Sequence, residues 1–517
     1  MSARPLRAVA AGPWARLRAA AAPCLRAWRR IPRAGRACFL IAFVNVAIWS
    51  VVIPPFMVPD EISHFGYAQY FAETGQPPPQ GPVYAYSRQE YAALEALEFG
   101  PVYGSPLGLN RGIFTSVEQA ALRRDLVAND YPLGQGGVTT ATNQPPLYYA
   151  LEAVPYWLSP SNDLLTRLVF MRLLSALMAA GTVLAVFLFL RELLPHTPWA
   201  WTVGALMVAF QPMFDFIGAG VNSDNLLYLA SALTIYAIAR AYRRGLTTAR
   251  SAAIGAALAV GILAKLTFLA LVPGAGLALL LLAWRARASG RGRALRLLGV
   301  GVAVAAAPVA LYLLLNVTVW NRGSALAGGL SSVTGAAGSG ATTITWHEIF
   351  DYTWQLYLPH LGFMTHNYFP GIYPLWQIWL DGSIGHFGWL NYTFPLWVYN
   401  DFQSLVYVLA ALGAIGLWRV RAAIRPLLGL FACYAVMALG LLAIIGYLGA
   451  RDLATTSTLF PQARYLFPLL AFYALAIVLA TKALPRRWAP VLGGLLVVLA
   501  MAHSLFAETL TISRYYG

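Results

Sequence analysis

Residues 266–316 read LTFLALVPGAGLALLLLAWRARASGRGRALRLLGVGVAVAAAPVALYLLLN. Two uncharged runs, 266–284 and 297–316, flank a segment, 285–296, that holds five Arg and no acid. Each run is close to the ~20 residues a helix needs to cross the hydrocarbon core of a bilayer. A dense Arg cluster between two such runs marks a cytoplasmic turn. This stretch therefore reads as a membrane hairpin.

The same pattern extends in both directions. Apolar runs recur at 37–53, 168–190, 198–216, 223–239, 251–264, 402–418, 426–448, 463–481 and 489–507. Only Ala264-Lys265 separates the run at 251–264 from the next. The expected fold class is an all-α polytopic membrane protein with about 11 transmembrane helices. Composition agrees: 59% of the 517 residues are hydrophobic and 11% charged, against about 25% charged in a soluble domain. With the N-terminus inside, 25 of the 36 Lys and Arg face the cytoplasm and 19 of the 20 acids face outward, Glu192 being the exception. That asymmetry predicts a cytoplasmic N-terminus and an extracytoplasmic C-terminus. The net charge of +16 is then an orientation signal beside anionic lipid, not a nucleic-acid footprint. Three cysteines (Cys24, Cys38, Cys433) support neither a disulfide framework nor a Cys-based zinc site.

The expected organisation is a basic cytoplasmic tail, 1–36, and one transmembrane domain, 37–517. The nine Arg of the tail also fit a transit peptide, but the orientation argument favours a tail. Two large extracytoplasmic loops containing short helices stand out, 54–167 and 317–401. In the first, PDEISHFGYAQYFAETG (59–75) reads as a helix with acids at its start and Gly75 at its end. Ser116-Val-Glu-Gln119 reads as a capping box. Residues 146–158 are apolar but too short to span, and read as interfacial. In the second loop, 323–343 is rich in Gly, Ser and Ala, reading as a lid or a plain linker. Residues 346–400 are dense in Trp, Tyr and His, the composition of a headgroup-level surface or a sugar-stacking wall.

Four places carry chemistry. Asp60, Glu61 and His64 lie together at the outer mouth of the first run. Acid and imidazole at helical spacing suit general-base catalysis or oxygen ligation of a cation. A plain helix start explains the acids equally well. Asp215 and Asp224 flank the next outer mouth, where Asp224 is either functional or an N-cap. Lys265, a cation between two apolar runs, calls for an anion or for snorkelling to the interface. A lipid-linked phosphate is a natural partner. Arg464, with Tyr465 in Gln462-Ala-Arg464-Tyr465, opens an apolar run from outside and is a second phosphate candidate or an orientation anchor. Asn143-Gln-Pro-Pro146-Leu-Tyr-Tyr is a candidate cavity floor. His386 and Trp389, in Gly385-His386-Phe-Gly-Trp389, are candidate substrate contacts. No Walker loop, dinucleotide fingerprint, HExxH or GxSxG is present. No cofactor is specified. A divalent cation (Mg or Mn) on Asp60, Glu61 and His64 stays open.

These motifs in this order resemble the GT-C glycosyltransferases. Asp60-Glu61-x-x-His64, Gly382-Ser-x-Gly-x-Phe-Gly-Trp389 and Gln462-Ala-Arg464-Tyr-x-x-Pro468 resemble more closely a bacterial branch of predicted multispanning membrane proteins. The resemblance covers nearly the whole chain. It implies a bacterial inner (plasma) membrane enzyme moving a sugar, with inversion, from a polyprenyl-phosphate donor to a hydroxyl of a cell-envelope glycan, lipid or protein. Asp60 or Glu61 would be the catalytic base, and Lys265 and Arg464 would hold the donor phosphate. Gln144 departs from the His or Lys that many relatives carry before Pro-Pro. A flippase for an anionic lipid or lipid-linked sugar is the rival reading, since it would use the same cations. The missing inverted repeat and the large outer loops weigh against it. A scaffold in an envelope complex would tolerate replacement of Asp60.

Overall fold

The computed structural model describes residues 26–79, 86–105, 116–128, 141–322, 344–364, 366–368, 375–456 and 462–517. Most of the basic tail and the Gly/Ser/Ala stretch 323–343 lie outside the described residues. The chain is mostly helical; its described strands are the two-residue pair His386–Phe387 and Tyr392–Thr393.

Among the described residues, seven helical segments are long and apolar enough to cross a membrane, or up to eight if one bent pair counts as a span. About eleven were expected, and the difference has identifiable causes. The run at 198–216 is split into Pro198–Ala209 and Pro212–Gly218, bent by 63°. Pro212 removes a backbone donor there, and the Gln211 side chain caps the second piece by accepting from Phe214 N at 2.6 Å. The run at 251–264 lies in Thr248–Ala264, a helix of 17 residues. The run at 223–239 lies in Asp224–Arg244, which carries four charges. That helix is largely enclosed by protein, so it has less need of a lipid-facing apolar surface. The runs at 402–418 and 426–448 become two 29-residue helices, Leu396–Ile424 and Leu428–Thr456, joined by a 3-10 turn and counted as one segment.

Leu164–Leu193 is the central element. It packs against Arg33–Val52, Asp224–Arg244 and Pro198–Ala209. Small residues allow neighbouring helices to approach closely, as is common in membranes. At Gly416 in Leu396–Ile424, a Cβ would stand 1.9 Å from the Leu479 carbonyl oxygen, so only glycine fits.

Within 54–167 the described residues form the short helices Glu61–Thr74, Arg88–Ala96, Phe99–Tyr103, Ser116–Ala128 and Leu147–Leu158, and 164–167 already belong to Leu164–Leu193. Leu147–Leu158 is two-faced. Tyr148, Tyr149, Glu152 and Tyr156 are buried, whereas Trp157 and Leu158 are exposed. The segment 344–401 contributes Trp346–Tyr357, Leu375–Gly385 and the two-strand hairpin. The hairpin clasps the first loop: Trp389 Nε1 donates to Phe56 O at 3.1 Å and Asn391 Nδ2 to Val102 O at 3.2 Å.

One buried ion pair holds these parts in register. Arg172, in the first third of the central helix Leu164–Leu193, donates to both carboxylate oxygens of Glu61 at 2.8 and 2.6 Å. The two side chains are 3% and 0% exposed. Arg172 also donates to Ser50 O, Ile53 O and Pro54 O at 2.8–2.9 Å, tying down the end of the first helix. Glu61 in turn accepts from Phe56 N at 2.8 Å and Val221 N at 3.0 Å. Removing one partner leaves a buried charge unpaired, at a cost of about 3–5 kcal/mol. Glu61→Ala should therefore lower the thermal unfolding midpoint in detergent steeply. Glu61→Leu combined with Arg172→Met should lose less than either single change, because no charge is then stranded.

Candidate active site

Asp60 is the residue before the first turn of Glu61–Thr74. It adopts a left-handed backbone, φ 64°, which costs free energy for a non-glycine residue. Its surroundings hold it there. Glu61 is fixed by Arg172 on one side, and Asn222 Nδ2 donates to Pro59 O at 3.0 Å on the other. The Gly220 turn packs directly beneath, since a Cβ at Gly220 would meet Val58 Cβ at 2.6 Å.

Three further charges from distant segments meet Asp60. Arg464 lies in the 3-10 segment Ala463–Leu469, which leads into the helix Leu470–Thr481. Its Nη2 donates to Asp60 Oδ2 at 2.5 Å. Asp224 is the first residue of Asp224–Arg244 and is 2% exposed. Its Oδ1 accepts from Lys265 Nζ at 2.7 Å, and its Oδ2 stands 3.8 Å from Arg464 Nη1. Lys265 is not a solitary cation: it caps the C-terminus of Thr248–Ala264 and is committed to Asp224. The four residues thus alternate in sign, Asp60–Arg464–Asp224–Lys265. Arg464 Nη1 and Asp224 Oδ2 make no hydrogen bond among the described residues, so the chain of charges has spare donor and acceptor capacity at its centre.

The four line one cavity of about 330 Å³, together with His64, Gln144, Thr267 and Tyr465. Leu227, Leu441, Ile445, Leu448 and Pro468 form an apolar wall. Arg464 is 4% exposed, whereas 39% of the Asp60 side chain is open, and its opening is to this cavity. Burial by itself would raise the Asp60 carboxyl. The Arg464 guanidinium, with Lys265, outweighs it and holds the carboxyl below its ordinary range. His64 Nδ1 lies 2.9 Å from the Tyr149 hydroxyl. Tyr149 stacks on Tyr67 with ring centres 3.6 Å apart. Burial, then Lys265, brings the imidazole down to about 4 against the pull of Asp60 and Asp224. His64 is therefore neutral at pH 7.

The remaining expected site residues lie elsewhere. Glu61 adjoins Asp60 in sequence but turns away into the Arg172 pair. His386 does not line the cavity: its Nε2 donates to Leu390 O at 3.1 Å. Trp389 braces Phe56, near Asp60, without lining the cavity either. Asp215 is buried on Asn45 Nδ2 at 2.9 Å, apart from the cavity. Asp60, Glu61 and His64 do not converge as a metal site, because Asp60 faces Arg464, Glu61 faces Arg172 and His64 faces Tyr149. Among the described residues no group of three or more His, Cys, Asp or Glu is arranged to hold a metal ion.

Sequence reasoning passed over Arg172, although an Arg inside an apolar run is itself a signal. It also passed over Arg322, which is 5% exposed and donates to Thr142 O, bracing the turn that carries Gln144.

The fold and the cavity define a multispanning membrane protein with a charged pocket enclosed among its helices. The chain belongs to the predicted membrane protein family DUF2142, whose profile matches residues 43–473. No curated protein matches it significantly. Among solved structures, ArnT from Cupriavidus metallidurans bound to undecaprenyl phosphate is similar at 14% identity and a TM-score of 0.46, covering 87% of this chain and 60% of that one. The Archaeoglobus fulgidus oligosaccharyltransferase in its apo form is similar at 12% identity and a TM-score of 0.44, covering 93% and 56%. The arabinosyltransferase EmbB from Mycobacterium smegmatis is similar at 14% and 0.38, covering 95% and 42%. This chain thus spans less than two thirds of each of those chains. At these TM-scores the likeness carries no functional argument.

The depressed His64 has a consequence for stability. Between about 4 and the ordinary 6.5 the unfolded chain binds a proton that the folded chain does not, so stability falls as pH drops through that window. Asp60 acts in the same direction at lower pH, below its ordinary 3.8. Buried Glu152, raised to about 8 by burial, acts in the opposite sense, so the comparison must be made between variants. His64→Gln should remove part of the loss of melting temperature between pH 6.5 and 4, read by thermal unfolding in detergent across that range.

Proposed function

We propose that this protein is a GT-C-type glycosyltransferase that moves a sugar, with inversion, from a polyprenyl-phosphate donor to a hydroxyl of a cell-envelope glycan, lipid or protein. The observation that carries the reading is the convergence of Asp60, Asp224, Lys265 and Arg464, from four separate segments, on one cavity with an apolar wall. A lipid-linked phosphate needs both parts: cations for the phosphate and a greasy surface for the chain.

The proposed reaction is a single displacement. The acceptor hydroxyl attacks the anomeric carbon and passes its proton to Asp60. The bond between that carbon and the phosphate oxygen breaks, and its electrons leave with the polyprenyl phosphate. Lys265 and Arg464 stabilise the negative charge that grows on the departing phosphate. The pairing seen here prepares this step. While Arg464 holds Asp60, the carboxylate is a weak base. A phosphate that takes over the guanidinium would release Asp60, raise its affinity for a proton, and so activate the base only when donor is bound. Asp224 would hold Lys265 in place. Neutral His64, on the cavity wall, is suited to a hydrogen bond with a sugar or acceptor hydroxyl, and Tyr465 to the sugar face. In this reading Glu61, His386 and Trp389 position the Asp60 turn rather than touch substrate. No step is assigned to a metal ion.

The proposal places the protein in the bacterial inner membrane with a cytoplasmic N-terminus and an extracytoplasmic C-terminus; it takes the bent pair, Asp224–Arg244, Thr248–Ala264 and each of the two 29-residue helices as a crossing, which brings the seven apolar segments to eleven. The cavity then opens on the outer face, beside the loops 54–167 and 317–401.

The test uses purified protein in bilayer discs, radiolabelled polyprenyl-phosphate sugars and envelope extract. Asp60→Asn, which keeps an oxygen for Arg464, should lower transfer by about 10²–10⁴-fold while donor binding persists. Lys265→Met should weaken donor binding itself. Donor that binds and crosses between leaflets without any sugar transfer would replace this reading with the flippase.

A further inference from the structure

A second cavity, of about 250 Å³, lies at the opposite end of the span Leu266–Ser289 from Lys265. It opens between the end of Val272–Ala286 and the start of Arg291–Thr318. Arg287 and Arg291 line it together with Leu280, Trp284, Leu295 and Leu298. Its apolar rim faces outward: Leu280, Trp284 and Leu295 are 56%, 59% and 69% exposed. In a membrane-spanning pair of helices such a surface meets lipid.

The charges around it lack acidic partners among the described residues, and Arg287 Nε donates only to the Trp284 carbonyl, at 3.3 Å. Segment 285–296 holds five Arg and no acid. Among the described residues Arg287, Arg291, Arg293 and Arg296 form no salt bridge. The acid that the charge count places on that side, Glu192, is taken by Arg244 at 2.8 Å. Arg287 lies over the Trp284 ring, 5.1 Å from its centre, so the guanidinium is held at the rim of the groove. The helix that starts at Arg291 has no side-chain cap and no acid in its first turn, which adds a further partial positive charge. A groove of this kind combines a cationic head with an apolar trough, the complement of an anionic phospholipid. The interfacial Trp284 lies where headgroup and acyl chain meet.

We propose that this groove binds one anionic phospholipid of the surrounding bilayer, its phosphate between Arg287 and Arg291 and an acyl chain along Leu280, Leu295 and Leu298. The site is separate from the Asp60 cavity and requires nothing of the reaction proposed there. If the arginines served orientation alone, lipid association would be diffuse and any two of them would be equivalent.

Native mass spectrometry of the full chain in detergent, titrated with phosphatidylglycerol or phosphatidylcholine, distinguishes the two. One phosphatidylglycerol should be retained in preference to phosphatidylcholine. Arg287→Gln with Arg291→Gln should lower that occupancy about tenfold or more. Arg419→Gln with Arg421→Gln removes the same charge from another cluster on that side and should leave occupancy unchanged. Trp284→Ala, which changes no charge, should weaken retention as well. Millimolar inorganic phosphate should not displace the lipid; displacement would reduce the site to an anion site without a lipid. Equal losses from the two double variants, or equal retention of phosphatidylcholine, would overturn the proposal.

Discussion

Arg172 reaches from the central helix to Glu61, and five parts of the chain meet at that pair. The end of the first helix is held through Ser50, Ile53 and Pro54, the turn at Phe56 through its amide, and the loop helix through Glu61 itself. The turn at Val221 is held through its own amide. A charge pair in so apolar a setting is stable only when nearly every donor and acceptor is used. Here Glu61 accepts four hydrogen bonds and the guanidinium donates five. The geometric demand of that network is what gives Asp60 its unusual backbone and its direction.

The cavity follows from this constraint. Asp60 and Glu61 are adjacent carboxylates with opposite circumstances. Glu61 is sealed from solvent and saturated with donors. Asp60 is open to the cavity and shares its cation with Asp224. Adjacent side chains at a helix start point in different directions, so one acid anchors the fold while its neighbour faces the cavity. The alternation of Asp60, Arg464, Asp224 and Lys265 then leaves the cavity close to neutral as a whole, with two cations each paired to an acid.

Much of this was legible in the sequence because it depends on local pattern. Apolar runs, Arg-rich turns, and acids gathered at the ends of apolar runs are readable residue by residue. Asp60, His64, Asp224, Lys265, Arg464 and Tyr465 were each identified on their own grounds, and all six line the cavity. Glu61, His386 and Trp389 were identified by the same reasoning and do not. Composition marks a polar residue as unusual but does not reveal which way it turns. Arg172 was overlooked because an otherwise apolar run absorbed it, although its charge deep in the chain was the clearest sign of a buried partner. The span count differed where a local rule met tertiary enclosure: Asp224–Arg244 is sheltered by other helices and carries charges that a lipid-facing helix would not.

By itself, then, the sequence determined that the chain lives in a membrane, which segments are apolar enough to enter it, and which charged residues stand at the mouths of those segments. These follow from the free energy of moving each side chain between water and hydrocarbon, a property of local composition. Only the tertiary structure decided that residues 60, 224, 265 and 464 share one cavity, that Glu61 belongs to the scaffold, and that Lys265 has a partner. Those outcomes depend on how distant helices pack and on which buried charges can satisfy one another, and neither is written in the spacing of residues along the chain.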